Sequence, residues 1–310
     1  MNHEPLASTP SCGYNTVSAR WRALFGKAAR KIPLDAGFTC PNRDGTLSFG
    51  GCSFCNEKGS GTGLNGAMTL SQQWEHWRKL RQAKWGDVAL IAYLQAFSNT
   101  HCPAPILERI LGELACLPSL SGLCLGTRPD CLDAEKLGLL ADFPTSELWL
   151  ELGLQSSNPA TLARVNRGHG PECFAKTVED AAARGIKVLA HVVAGLPGEG
   201  PSDWSATVDF VNRLPVSGIK FHNLFVADST LLAEQFRKGT FSPPGLEEYV
   251  DWVADSLARL RPDIIVHRIS SDPAPGELVA PDWAADKRRV VDAIADALSR
   301  SNIRQGMYWP

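Results

Sequence analysis

Cys40, Cys52 and Cys55 are spaced C-x11-C-x2-C, and three thiols in one short segment can bind metal. The loop between them is punctuated by Pro41, Gly45, Gly50 and Gly51. Such residues let a chain turn back on itself, so the three thiols can meet. Three thiolates are one short of a closed tetrahedral zinc site, and one short of a cluster held wholly by protein. A metal centre with an unclaimed corner is a place where a second molecule can be bound and activated. Spacing alone leaves two readings open: a structural zinc site completed by Cys12 or His76, and an iron–sulfur cluster with one free iron.

The elements that must position this loop alternate regularly. A helix is predicted over residues 16–25 and an extended segment over 30–35. The cysteine loop runs on through the glycine-rich stretch 59–63 to about Met68. Helix–strand pairs then follow at 70–85 and 88–95, 105–117 and 122–126, 133–143 and 147–154, 171–184 and 186–193, and 201–214 and 218–225. About six strands result, several too uniformly apolar to have a wet face, which predicts a parallel sheet covered by helices. Beyond residue 230, helices are predicted at 231–238, 245–260 and 283–299, with an apolar strand at 263–267. In a sheet of this kind, open or closed into a barrel, chemistry sits at the C-terminal strand ends. The strand exits here carry polar groups and glycines: Gln95 to Thr100, Gly126 to Asp130, Glu151 to Ser156, His191 to Glu199, and Lys220 to Asn223.

Composition sets the outer limits. The chain has 310 residues, 44% hydrophobic and 21% charged, with a net charge of −2, so nothing in its balance advertises nucleic acid or an acidic membrane. No run approaches the ~20 apolar residues that span a bilayer. The N-terminus lacks the pattern of a secretory signal and reads as a disordered lead-in over residues 1–13. These features predict a cytoplasmic protein whose nine cysteines are ligands, nucleophiles or core filler rather than disulfides. Cys116 and Cys124, in apolar surroundings, are expected in the core. Trp74, Trp77 and Trp85 are expected to pack a helix on the sheet rather than to stack on bases.

Several short motifs, in this order along the chain, resemble the radical S-adenosylmethionine (SAM) superfamily. They are the cysteine loop with Phe54 just before its last cysteine, the strand Gly153-Leu154-Gln155-Ser156 and the turn Gly195-Leu196-Pro197-Gly198-Glu199. The segment from Pro33 to Thr46, the turn Leu125 to Asp130, His267-Arg268-Ile269-Ser270 and Val279 to Trp283 narrow the resemblance to a YhcC-type branch, whose barrel is similar to that of the Elongator catalytic subunit. The resemblance covers residues 14–308. It implies an α/β fold, a partial (β/α)6 barrel of radical SAM type over 14–230 that includes the cluster loop 37–69. A C-terminal α-rich extension, 231–310, would pack on it.

The same resemblance implies the site. Cys40, Cys52 and Cys55 would hold three irons of a 4Fe–4S cluster, and SAM would take the fourth. The superfamily's common first gap is three residues rather than eleven, and its Gly-Gly-Glu is replaced here by Gln95 to Asn99, so Gln95, Ser98 and Asn99 are the candidates for the SAM amino group. Phe54 and Gly195 would lie near the adenine. Gln155 and Arg167 would contact ribose and carboxylate, and an arginine fork suits a carboxylate independently. His191 stands where coproporphyrinogen-oxidising relatives carry an acidic ribose ligand. Thr127 and Glu151 are further cofactor candidates; Arg128, Lys220 and His222 are candidates for facing the substrate. The resemblance also implies a one-electron reductant such as flavodoxin or ferredoxin. For the substrate, similarity to the Elongator subunit points to tRNA, and a small molecule or peptide is the alternative. A non-catalytic, zinc-stabilised binding protein is the rival from a different class.

Overall fold

The structure, a computed structural model, describes residues 12–59 and 66–310. The expected lead-in up to Ser11, and residues 60–63 of the glycine-rich stretch, lie outside the described residues. In chain order the strands are β1 (Ala29–Leu34), β2 (Ala89–Leu94), β3 (Leu120–Thr127), β4 (Leu148–Gln155), β5 (Lys187–Ala194), β6 (Gly218–Asn223), β7 (Val226–Ala227), β8 (Ile265–Arg268) and β9 (Leu278–Ala280). The helices are α1 (Val17–Phe25), α2 (Leu70–Trp85), α3 (Ala104–Ala115), α4 (Ala134–Ala141), α5 (Pro159–Arg164), α6 (Pro171–Ala182), α7 (Pro201–Asn212), α8 (Leu231–Arg237), α9 (Leu246–Arg259) and α10 (Lys287–Arg300). Seven strands form one parallel sheet in the order β1-β2-β3-β4-β5-β6-β8, curled into a half-barrel. β7 and β9 make a separate antiparallel pair.

The strand-and-helix alternation stands as predicted, with two additions. β8 comes from the tail and pairs in parallel with β6, so the sheet has seven strands where about six were expected. α5 is six residues long, too short to carry a full amphipathic period, so periodicity does not predict it.

The helices form where apolar residues recur at helical spacing. In α3 the buried positions are Ala104, Leu107, Ile110, Leu111 and Leu114, one stripe facing the sheet. Trp74 of α2 is fully buried, its indole N–H donating to the Pro118 carbonyl, so it packs the helix on the barrel as expected. α2 starts in a capping box: Thr69 Oγ1 accepts from Gln72 N, and Gln72 Oε1 from Thr69 N. Thr69→Ala is expected to lower the unfolding free energy by about 1 kcal/mol, read as a lower urea midpoint at unchanged slope.

The inside of the half-barrel is layered. Its lower end is filled by Trp21, Ile91, Cys124, Trp149, Leu189 and Ile265, which confirms Cys124 as core. Cys116, expected with it, is instead exposed at the C-cap of α3, on the side of the helix turned from the sheet. Glu147 is fully buried here and accepts from the indole N–H groups of Trp21 (2.8 Å) and Trp149 (2.7 Å), from Arg20 and from Lys187. Burial alone would raise its carboxyl; the hydrogen bonds from Arg20 and Trp149 outweigh that and hold it below the usual range. α1 touches both β1 and β8, and Val266 N donates to Asn15 O, so the two edge strands are covered at this end. The upper end, at the strand C-termini, stays open.

Candidate active site

The open end of the half-barrel is a cavity of about 540 Å3, within the range of small-molecule pockets. Cys40, Cys52 and Cys55 all line it. Their loop follows β1 and is held in place from three sides. Ser53 N donates to Val165 O (3.0 Å), beyond β4, and Leu232 N of α8 donates to Ser53 O (3.0 Å). The Asn166 amide donates to Gly51 O (2.9 Å) and Ser48 Oγ (3.1 Å). On the remaining side, His101 meets Asp44 at 2.8 Å. These ties come from residues far apart in sequence, and they account for a gap of eleven residues still delivering its cysteine to the cavity.

The thiols are close enough to affect one another. Burial pushes the Cys55 thiol up, Cys52 and Cys40 add to the push, and the Arg43 guanidinium beside it pulls the other way. Three more cationic or N–H groups point at the sulfurs. Asn42 Nδ2 lies 3.7 Å from Cys52 Sγ and Arg167 Nη1 3.9 Å from it. The Arg128 guanidinium lies close enough to feel Cys40 and Cys52. Among the described residues, no three His, Cys, Asp or Glu side chains converge on the position of a single ion. Cys12 bonds to Tyr14 O and His76 packs on Trp77; neither lines the cavity. The donor set, three separated thiols framed by cations, suits the separate corners of an anionic cluster better than one zinc ion.

Of the other predicted residues, Gln95, Ser98 and Thr127 line the cavity from the ends of β2 and β3, and Phe54 lines it from the cysteine loop, packed against the cluster that contains Val165, Val193, Leu196 and Leu224. Glu151, Gln155, Arg167 and His191 line it from the other side, with Arg128, Lys220 and His222. Arg167 donates through Nη2 to Gly153 O (2.6 Å), and its Nε is buried without a partner. Gln155 has a φ of 75°, in the left-handed region, and the β4–β5 register slips between Gly153 and Gln155. This irregularity at the end of β4 accompanies a side chain presented to the cavity, the usual place for backbone strain of this kind. Gly153 leaves room for both neighbours: a Cβ there would sit 2.7 Å from Gln155 Nε2 and would collide with the Arg167 guanidinium.

Two predicted residues stand elsewhere. Asn99 is buried behind the wall, its amide donating to Leu94 O, Ala96 O and Gly126 O, so it holds the loop after β2 in shape. Gly195 does not line the cavity; its φ of 88° and the packing of Pro244 against it leave no space for a side chain. Arg128, a candidate for facing the substrate, forms a fork on Asp130 at 2.9 and 2.7 Å and donates to Arg167 O.

Glu151 does not reach the upper rim. It sits fully buried at the cavity floor, where Lys31 Nζ lies 2.5 Å from Oε1, His191 Nε2 lies 2.9 Å from Oε2, and Lys220 Nζ also bonds Oε2. Burial alone would raise its carboxyl; Lys220 and Lys31 outweigh it and hold the group well below the usual range. Sequence reading missed Lys31, Asn42, Arg43, Tyr93, Arg268 and Ser271. Lys31 stands beside Arg30 in β1, so no lone charge in an apolar run marked it, whereas Asn42 and Arg43 lie within the cysteine loop itself. Tyr93, Arg268 and Ser271 gain their place from strand pairing, which no local pattern announces.

Comparison with known proteins gives the family. The family model described as Radical SAM superfamily matches residues 40–211, and the Radical_SAM C-terminal domain matches 216–300. YtqA of Bacillus subtilis is 36% identical over 96% of this chain and 92% of its own length. YhcC of Escherichia coli is 35% identical over 85% of each chain. Among solved structures, Elp3 of the archaeon Methanocaldococcus infernus superposes with a TM-score of 0.68 at 16% identity, over 89% of this chain. The chain spans 64% of that Elp3 chain, and the likeness to it shows the fold.

Proposed function

This chain belongs to the radical SAM superfamily and is an enzyme of that class, and from that premise we propose that its cavity holds a 4Fe–4S cluster and SAM side by side. The observation that carries this reading is the meeting of three separated thiols with the partly unsatisfied Arg167 guanidinium in one cavity. Cys40, Cys52 and Cys55 would hold three irons. When bound, the cluster and SAM supply one electron and a 5′-deoxyadenosyl radical, which takes a hydrogen atom from the substrate. The chain's own residues orient and exclude. Arg167 offers its guanidinium to the SAM carboxylate, Ser98 and Gln95 stand at the opposite wall for the amino group, and Gln155 faces the ribose. Phe54, packed on Val165, Val193, Leu196 and Leu224, closes one side against water. Asn42, Arg43 and Arg128 offset the negative charge that thiolate ligation brings.

Nothing in the site favours a zinc-stabilised binding protein. The reading places the enzyme in the cytoplasm, with flavodoxin or ferredoxin as electron donor. Anaerobically reconstituted, reduced protein is expected to turn SAM into 5′-deoxyadenosine, detected chromatographically; iron-loaded protein that leaves SAM intact would sink the reading. Gly153→Ala adds a narrower test. The added methyl displaces Arg167 and Gln155, both flexible ends, so stability should change little. SAM affinity should fall roughly tenfold or more, the equivalent of one charge-assisted hydrogen bond. An unchanged affinity would remove Arg167 from the cofactor site.

For the substrate, similarity to the Elongator subunit supports tRNA. Salt-sensitive retention of tRNA by the purified protein is the expected outcome. Failure to retain it would turn the reading to a metabolite or a peptide.

A further inference from the structure

The cavity floor carries a hydrogen-bonded row that cofactor binding does not use. Ser271 Oγ lies 3.2 Å from His222 Nδ1, His222 Nε2 lies 3.2 Å from His191 Nδ1, and His191 Nε2 lies 2.9 Å from Glu151 Oε2. Lys220 Nζ bonds the same oxygen, Oε2. The planes of the two imidazole rings are inclined at 27° to each other, with centroids 5.1 Å apart. Ser271 is set by its own N–H donating to Asn223 Oδ1 at 2.7 Å. Every member of the row, from Ser271 to Lys220, lines the cavity.

The chemistry of the end group orients the whole row. An ionised carboxylate only accepts hydrogen bonds, so His191 Nε2 must donate to Glu151. A neutral His191 then has its lone pair on Nδ1, where it accepts from His222 Nε2. That leaves the His222 lone pair on Nδ1, accepting from the Ser271 hydroxyl. Each donor points along the row from Ser271 toward Glu151, and the row is aligned to move a proton in that direction. The pattern of hydroxyl, imidazole and orienting partner is that of an activated base.

We propose that Ser271, His222, His191, Glu151 and Lys220 form a relay that takes a proton from an O–H or N–H group of the substrate. A proton leaves that group for Ser271 Oγ, its bonding pair staying on the substrate. Ser271 gives its own proton to His222 Nδ1, His222 gives its Nε2 proton to His191 Nδ1, and His191 gives its Nε2 proton to Glu151. Glu151 passes it to the neutral amine of Lys220. No electron moves: both histidines exchange tautomers, Ser271 and Glu151 recover their charge, Lys220 gains one positive charge and the substrate loses a proton. The surroundings agree with these roles. Burial, with Lys31 nearby, brings Lys220 down to about 7, a fitting sink at neutral pH. Burial and Lys220 bring His191 down to about 4, and burial with His191 and Arg268 holds His222 well below its ordinary value, so both stay neutral. The other ionisable groups facing the row are Lys31 from β1, Tyr93 from β2, Cys124 from β3, and His267 and Arg268 from β8, with Asp272 beside Arg268. The relay rests on the proposed reading only in taking this cavity as the substrate site.

The test is nitrogen-15 NMR of histidine-labelled full-length protein, with the two signals assigned from His191→Gln and His222→Gln. Both histidines are expected to be neutral with the proton on Nε2 from pH 8 to pH 5, and the Lys220 side chain is expected to titrate near neutrality. Glu151→Gln, its oxygen kept by Lys31, should turn its amide NH2 toward His191 and the neutral Lys220 amine, and both histidines should switch to Nδ1–H together. A proton on Nδ1 of His222 in the wild type, a Lys220 that stays charged through pH 9, or a His222 that keeps its tautomer while His191 switches would each overturn the relay. The wild-type tautomers need no variant, so the proposal stays testable even if Glu151→Gln folds poorly. None of these readouts needs iron or SAM, so a failed relay is distinct from a failed radical SAM reading.

Discussion

Cys52→Ala is expected to abolish iron binding and SAM cleavage together. Wild-type protein reconstituted without oxygen should be brown and carry about four irons, whereas the variant should be nearly colourless. The expectation follows from where Cys52 stands. It is the most enclosed of the three thiols, with N–H groups of Asn42 and Arg167 directed at its sulfur and its neighbour Ser53 pinned to Val165 and Leu232. A thiolate placed so firmly is replaced neither by water nor by the partly exposed remaining cysteines. Fold is not at stake, because the loop is held by backbone bonds and by Asn166, not by its sulfurs. The variant should therefore keep its circular dichroism spectrum and its urea midpoint. Retained 5′-deoxyadenosine formation with a full complement of iron would remove Cys52 from the cluster.

Glu147→Leu should produce the largest loss of stability, about 3–5 kcal/mol in a denaturant titration. One carboxylate with no solvent contact accepts from four residues at the closed end of the half-barrel, and leucine removes that acceptor, leaving Lys187 only the Ser146 carbonyl. Arg20 and Lys187 are partly exposed and can turn to water. The indoles of Trp21 and Trp149 cannot, and unsatisfied buried donors carry most of the cost. A loss under about 1 kcal/mol would show that the indoles find other acceptors. The same carboxyl, with Glu151, sets the acid limit. Both are depressed in the folded state, so their contribution is complete above the unfolded carboxyl value of about 4.3 and is lost as pH falls below it. Unfolding midpoints should begin to fall below about pH 6.5, where the unfolded chain protonates His191 and His222 that the folded chain keeps neutral, and fall more steeply below about pH 4.3, where Glu147→Leu should show the shallower drop.

Much of this molecule is legible residue by residue. Apolar runs of strand length alternating with amphipathic stretches specify a parallel sheet under helices, because each element must bury its own face. The C-x11-C-x2-C spacing, one ligand short, marks an open metal centre, and the short motifs around it carry the family. Asn99, Glu151 and Arg128 show where local reading stops. Asn99 and Arg128 sit at strand exits, as predicted, whereas Glu151 lies mid-strand in β4. Yet Asn99 spends its amide on three carbonyls, Arg128 is engaged by Asp130, and Glu151 is drawn to the floor by Lys31 and Lys220. A strand-end position predicts which end of the barrel a residue occupies, not which partners claim its side chain.

The sequence by itself determined the class of chemistry, the order of the elements and the three thiols, since each depends on residue type, spacing or short-range periodicity. Only the tertiary structure decided that the tail supplies a seventh strand, that the cysteine loop is pinned by Val165, Asn166 and Leu232, and that Ser271, His222, His191, Glu151 and Lys220 share one row. The physical reason is the same for all three. Strand register and loop closure join residues that stand more than a hundred positions apart, and the energy that selects them comes from burial and charge pairing across the barrel, which no stretch of chain holds by itself.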